Sequence, residues 1–215
     1  MKSILSILGF LILATFSCKK EEIEFASYFP LEEGTEWCYD LYRAGESDLY
    51  RQPTWKIEGD TTLDGKVYKQ LTLYSERFLA IREENNNYYN RKVKDFVNTT
   101  SEEILFLKTD NPDGATWEQI IGNWKYVFSQ SVLPKLLVNG INWNEIIEVR
   151  ITIFTKNSDG EFEPLEDYFN NEGAIARYDF AKGKGLISVY EPSRFNHFSD
   201  FVYQISNFME FKECP

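Results

Sequence analysis

The 215-residue chain carries 34 acidic and 23 basic residues, so its net charge is −11, and 16% of its residues are aromatic. Nucleic acids and anionic lipid headgroups are also negative, and binding either of them needs a basic surface that this composition does not supply. The composition therefore excludes nucleic acid as a partner, and it predicts that any attachment to a membrane depends on something other than surface charge.

The first 18 residues have the pattern of a secretion signal that ends in a cysteine. After a basic start comes the mostly apolar run Ile4–Phe16, and the small Ser17 stands directly before Cys18. This run is too short to cross a bilayer, which takes about 20 residues. The pattern resembles a bacterial lipoprotein signal peptide, although Thr15 stands where leucine is commonest. The resemblance implies that residues 1–17 are removed and that Cys18 is lipidated; plain secretion is the alternative.

The residues after the signal divide into a short tether and one domain. The stretch Lys19–Glu24 is charged and has no apolar period, so we predict a lipidated N-terminus and flexible tether over 18–25. Residues 26–215 are then expected to form a single domain. The Cys-Lys-Lys-Glu-Glu start resembles acidic export tags of Gram-negative lipoproteins. It predicts an outer-membrane protein, with a surface-exposed and a periplasm-facing position both left open.

Two cysteines remain once Cys18 is assigned to lipid. In an oxidising compartment Cys38 and Cys214 are expected to pair as a disulfide. The alternation around each of them places both thiols on the polar faces of a first and a last strand. Such a bridge would join the two ends of the domain, and the alternative is two unrelated thiols.

Most of the remaining chain has the patterning of β-strands. The clearest alternation is in Glu145–Thr155, where isoleucine and valine point one way and charged or hydroxyl side chains the other. Further predicted strands are Glu36–Tyr42, Thr54–Glu58, Lys66–Tyr74, Phe78–Glu83, Tyr88–Val93, Ile104–Lys108, Trp124–Ser129, Ala174–Phe180, Leu186–Tyr190 and Phe201–Phe211. The pairs Asp64-Gly65, Asp113-Gly114, Asn139-Gly140 and Asp159-Gly160 suit tight turns between antiparallel strands. We predict an all-β fold, a single antiparallel β-barrel or half-barrel or sandwich of about ten strands.

Three short motifs resemble a group of uncharacterised bacterial lipoproteins. They are the opening Tyr28-Phe29-Pro30-Leu31 followed by Gly34 and Trp37, the turn Asp64-Gly65-Lys66-Val67-Tyr68, and the segment Ala181-Lys182-Gly183-Lys184-Gly185-Leu186. Lys184 departs from that group, which usually has valine at this position. The resemblance implies an antiparallel β-fold similar to the half-barrel lipoprotein carriers, and no established reaction.

One polar and aromatic turn is a candidate ligand contact. Asn86, Asn87, Tyr88 and Tyr89 follow Asn85, and such residues can form a sugar-binding lip because amides bond hydroxyl groups and aromatic rings stack on sugar faces. The alternative is a polar turn that enters an aromatic strand.

No other pattern singles out a catalytic or metal site. His197 is the only histidine, so a multi-histidine metal site is excluded. Residues 155–166 match the spacing of a calcium loop in part, but a hairpin turn at Asn157–Gly160 explains the same residues. The acidic pairs at 83–84, 102–103 and 166–167 are expected to lie at solvated faces and turn borders. We predict no catalytic residue, metal or cofactor.

The sequence thus predicts a membrane-anchored lipoprotein of the cell envelope that acts as a non-catalytic binding or structural module. A carrier of an apolar or lipid ligand in a half-open barrel is one alternative, and a carbohydrate-active module is another. The expected partners are the membrane, through the lipid anchor, and a glycan, lipid or protein ligand.

Overall fold

The fold is all-β. A computed structural model describes residues 27–43, 48–73, 76–92, 102–165, 175–191, 207–212 and 214. The strands in this part of the chain are β1 (Glu36–Arg43), β2 (Leu49–Arg51), β3 (Thr54–Leu63), β4 (Lys66–Leu73), β5 (Glu76–Glu84), β6 (Asn87–Lys92), β7 (Ile104–Lys108), β8 (Thr116–Ile121), β9 (Trp124–Val138), β10 (Ile141–Lys156), β11 (Phe162–Pro164), β12 (Ile175–Ala181), β13 (Gly185–Glu191) and β14 (Asn207–Lys212). None of the described residues forms a helix long and apolar enough to cross a membrane.

The strands form one antiparallel sheet that curves into a nearly closed barrel. Its order is β7-β6-β5-β4-β3-β1-β14-β13-β12-β10-β9-β8, with β2 paired to β1 and β11 paired to β10 outside this path. The first and last strands are therefore neighbours, and Asp40 of β1 lies opposite Glu210 of β14. The described residues also form β2, β8 and β11, which the sequence had not indicated as strands.

Side chains, rather than a strand ladder, join the two ends of this sheet. Gln119 of β8 accepts a hydrogen bond from the main-chain N–H of Leu105 at 3.1 Å and donates to the carbonyl of Glu103 at 2.6 Å. The indole of Trp117 donates to the carbonyl of Leu105 at 3.0 Å. These contacts supply partners for an edge of β7 that would otherwise be unpaired at this seam.

Aromatic rings fill one end of the barrel interior. Phe29 is fully buried, and its ring centroid lies 5.2 Å from Trp37, 6.0 Å from Phe106, 6.1 Å from Phe180 and 6.3 Å from Tyr88. Trp37 is also buried, and its indole donates to the Lys184 carbonyl at 2.5 Å. Rings at these separations are in contact, so this end of the interior is occupied by side chains.

The β9–β10 hairpin is longer than predicted and forms an arm that leaves the sheet. Pro134 lies in β9, and Glu145 in β10 has a positive φ of 52°. Beyond these two residues the arm, residues 134–145, reaches β1 and β14, where Asn139 donates to Asp40 at 3.3 Å and to the carbonyl of Phe211 at 3.4 Å. Its underside covers a second, smaller apolar cluster, whose buried members are Val138, Ile146, Ala181 and Ile187.

Candidate functional site at the tether end of the barrel

The first described residue is held at one end of the barrel, which we call the tether end. The carbonyl of Ser27 accepts a hydrogen bond of 2.7 Å from the N–H of Gly183, and its hydroxyl lies 2.6 Å from the Tyr88 hydroxyl. Gly183 lies in the β12–β13 turn, and Tyr88 follows the β5–β6 turn. Because neighbouring strands are antiparallel, these two turns and the β9–β10 arm lie at the same end, and the β8–β9 turn lies at the other.

A disulfide joins the first and last strands near this end. Cys38 in β1 is bonded to Cys214, with 5.2 Å between their Cα atoms, so the expected pairing is present in the structure. Strand alternation places Cys38 on the face of β1 that carries Glu36 and Asp40, as expected, and Cys214 is exposed just beyond the end of β14. Cys38 is buried, with its Sγ also 3.6 Å from the hydroxyl of Thr54. Cys18 lies outside the described residues.

The four residues proposed as a ligand contact, Asn86, Asn87, Tyr88 and Tyr89, do not form one surface in the structure. Asn85 and Asn86 both have a positive φ, as a tight hairpin turn requires, and the Asn86 amide donates to the Asp110 carboxylate at 2.8 Å. The amide of Asn87 donates to the carbonyl of Asn85 at 3.0 Å. Tyr88 is buried in the aromatic core, so its ring is not available to a ligand in solvent. Tyr89 points to the opposite face of the strand, where its ring centroid lies 4.0 Å from the guanidinium of Arg82.

A partly buried ion cluster lies beside this lip, and the sequence did not indicate it. Glu103 was expected at a solvated face, but its side chain is only 18% exposed. Its carboxylate accepts hydrogen bonds from Arg82 Nη2 at 2.8 Å, Tyr68 Oη at 2.6 Å and Lys66 Nζ at 2.9 Å. Burial alone would raise the pKa of Glu103, but these donors outweigh it and lower the pKa to about 2. A carboxylate held by these donors forms a structural ion pair and stays ionised at neutral pH, so it does not act as a proton donor.

A second buried carboxylate lies on the opposite side of the barrel. Asp179 of β12 is fully buried, and no donor makes a hydrogen bond of good geometry to either of its oxygens. Its surroundings are Arg177 Nε at 3.4 Å, Glu148 directly opposite on β10, and Ser188 opposite on β13. Burial raises the pKa of Asp179 to about 6, and Arg177 and the Ser188 hydroxyl partly oppose this effect. Since the carboxyl is closed off from solvent, this arrangement does not present it to a substrate.

The remaining candidates have simple structural roles or lie outside the described residues. The side-chain oxygen of Asn157 accepts the N–H groups of Asp159 and Glu161, so it forms the hairpin turn that was the alternative to a calcium loop. His197 and the acidic pair 166–167 are not among the residues that the structure describes. Within those that it does describe, no three His, Cys, Asp or Glu side chains are grouped so that they could hold a metal ion.

The fold and the tether end together define an all-β, nearly closed antiparallel barrel with a disulfide between its terminal strands. No protein-family model matches the chain, and no curated protein matches it. Among solved structures, it is similar to a candidate lipoprotein from Parabacteroides distasonis, with 12% identity over 88% of this chain and 99% of the other, and a TM-score of 0.42. It is also similar to a candidate exported protein with a YmcC-like fold from Bacteroides fragilis, with 8% identity over 86% and 97% of the two chains and a TM-score of 0.43.

Proposed function

We propose that this protein is a lipoprotein of the cell envelope, anchored to the outer membrane through lipid on Cys18, whose barrel acts as a non-catalytic binding or structural module. The observation that carries the proposal is the order of features at the start of the chain. The predicted signal covers residues 1–17, directly before Cys18, and Ser27, the first described residue, is fixed to the tether end by two hydrogen bonds. The disulfide Cys38–Cys214 supports an oxidising compartment outside the cytoplasm.

The packed interior supports a binding or structural role over that of a lipid carrier. A carrier needs a continuous apolar cavity, whereas Phe29, Trp37, Phe106 and Phe180 are buried and their rings pack around Phe29. Native mass spectrometry of the gently purified protein should therefore show the same mass before and after denaturation. Loss of a lipid of a few hundred daltons on denaturation would instead support the carrier.

Replacement of the lipidated residue tests the anchor directly. We expect Cys18→Ala to move the protein from the membrane pellet to the soluble fraction, because a stable anchor needs the acyl chains. The matched control is the double variant Cys38→Ser with Cys214→Ser, which also removes cysteines but keeps the proposed lipid site. It should remain in the pellet and incorporate labelled fatty acid. A Cys18→Ala variant that stays in the pellet after high-salt washing contradicts the proposal.

A further inference from the structure

One part of this acidic chain has no acidic residue. Residues 119–144, which form the end of β8, all of β9 and the arm up to its last residue but one, contain two lysines and no aspartate or glutamate. This is the longest acid-free stretch after Cys18. Four of the six large apolar side chains that are exposed in the described residues also lie in this stretch: Ile120, Trp124, Val132 and Leu137. Absence of negative charge and exposure of apolar surface therefore coincide in the same segment.

The arm part of this stretch lies beside the start of the tether. Lys135 and Leu137 are two residues apart on one strand, so they share the outward face of the arm, and Leu137 is 63% exposed. The base of the arm at Glu145 accepts a hydrogen bond of 3.3 Å from the N–H of Lys182, in the same turn that holds Ser27. That turn also presents exposed Lys184. We call Lys135, Leu137 and Lys184 the arm patch.

The charges around the patch distinguish it from the rest of the tether end. Glu145 at the base of the arm is paired with Lys182 Nζ at 3.3 Å, and Asp40, which the arm contacts through Asn139, is paired with Lys212 Nζ at 3.5 Å. The rest of the tether end is acidic, with exposed Glu32, Glu33 and Asp110. A body of this net charge that is held against an anionic surface is repelled least when its acid-free side faces that surface.

We propose that the arm patch rests on the headgroup layer of the membrane that holds the Cys18 lipid, with Leu137 inserted among the lipids and Lys135 and Lys184 against their phosphates. This inference rests on the proposed lipid anchor. The nine residues 18–26 reach at most about 30 Å, so the tether keeps the patch within contact range of the bilayer. A tethered contact is effectively intramolecular, so a weak interaction is enough to orient the barrel.

The exposed side chain of Lys184 is the part of the patch that lies in the β12–β13 turn. In the structure the main-chain N–H of Lys184 donates to the carbonyl of Ala181 at 3.0 Å, and its carbonyl accepts the hydrogen bond of the Trp37 indole. Its side chain is exposed and leaves the barrel packing unaffected. A charge at this position therefore has no cost to the fold and is placed to meet lipid phosphate.

Lipid quenching of a site-specific dye tests this orientation. The full lipidated chain is reconstituted into vesicles of phosphatidylethanolamine and phosphatidylglycerol, with one added cysteine carrying an environment-sensitive dye. Leu137→Cys reports on the patch. The controls are Val67→Cys, 60% exposed and elsewhere at the tether end, and Ile120→Cys, 53% exposed and at the other end of the barrel. A headgroup-region quencher in the lipid should quench the dye at position 137 at least about two-fold more than at either control.

The outcomes separate the orientation from the anchor. Equal quenching at the three positions, in protein that floats with the vesicles, overturns the orientation and leaves the anchor intact. A blue shift at position 137 that grows with protein density without lipid quenching points to a second copy and also overturns it. Protein that does not float removes both proposals. In the Leu137→Cys background, Lys135→Glu should reduce the quenching while flotation is unchanged.

Discussion

Replacing the buried carboxylate of Asp179 should stabilise the protein at neutral pH. Burial raises the pKa of Asp179 from 3.8 to about 6 in the folded state. A carboxyl whose pKa is higher in the folded than in the unfolded state contributes stability that is fully present below about pH 3.8 and is lost as the pH rises to about 6. At about 1.36 kcal/mol per pKa unit, the loss at neutral pH is about 3 kcal/mol. Asp179→Asn removes this ionisation and still offers an amide donor to Glu148 opposite.

Urea unfolding at two pH values measures this effect. The free energy of unfolding of Asp179→Asn, relative to the unmodified protein, should increase by about 2.5 kcal/mol between pH 4 and pH 7.5. Asp159→Asn is the matched control, since Asp159 is exposed in a hairpin turn and its replacement should give the same small difference at both values. If the relative stability of Asp179→Asn does not change with pH, burial does not raise the pKa of Asp179 in the folded protein.

Three further substitutions test the ion cluster, the seam and the glycine in contact with Trp37. Glu103→Gln should lower the free energy of unfolding at pH 7 by about 3 kcal/mol, because the buried guanidinium of Arg82 then keeps only exposed Glu84 as a carboxylate partner. This loss should disappear towards pH 2, where the wild-type carboxyl is itself becoming protonated. Gln119→Ala should cost about 1 to 3 kcal/mol and speed amide hydrogen exchange in β7, whereas unchanged exchange would argue against a side-chain seam. Gly185→Ala should destabilise the protein by about 2 kcal/mol more than Gly160→Ala. Both glycines have a positive φ, but only at Gly185 would the added Cβ lie 2.7 Å from Trp37 Nε1. Equal losses of stability in the two variants would refute this contact.

The strands that the sequence predicted well are those with one buried face or a continuous apolar run. The run Ile104–Lys108 is a strand in the structure with the same limits. The edge strand Thr116–Ile121 had not been expected, since only one of its six residues is buried and apolar alternation in its sequence is weak. In the arm, Pro134 and the adjacent leucines Leu136 and Leu137 break the period of two, and they concealed the second half of β9.

The sequence predicted the disulfide but missed the charged sites for a physical reason. The pairing of Cys38 with Cys214 can be predicted by counting the cysteines and recognising an exported chain, and both are read directly from the sequence. The contacts of Glu103 with Arg82 and Tyr68 join residues 21 and 35 positions apart in the chain, so they depend on strand register and curvature. Tyr88 illustrates the same limit, because alternation places it opposite in direction to Tyr89 but does not say which of the two faces the core.

The mass of the intact protein extracted from membranes tests the central claim most directly. The account predicts a chain that begins at Cys18, carries the added mass of a diacylglyceryl group with or without a further acyl chain, and gains no mass with a thiol reagent until the disulfide is reduced. A chain that retains residues 1–17, or one that begins elsewhere without lipid, would contradict the anchor and the orientation that depends on it.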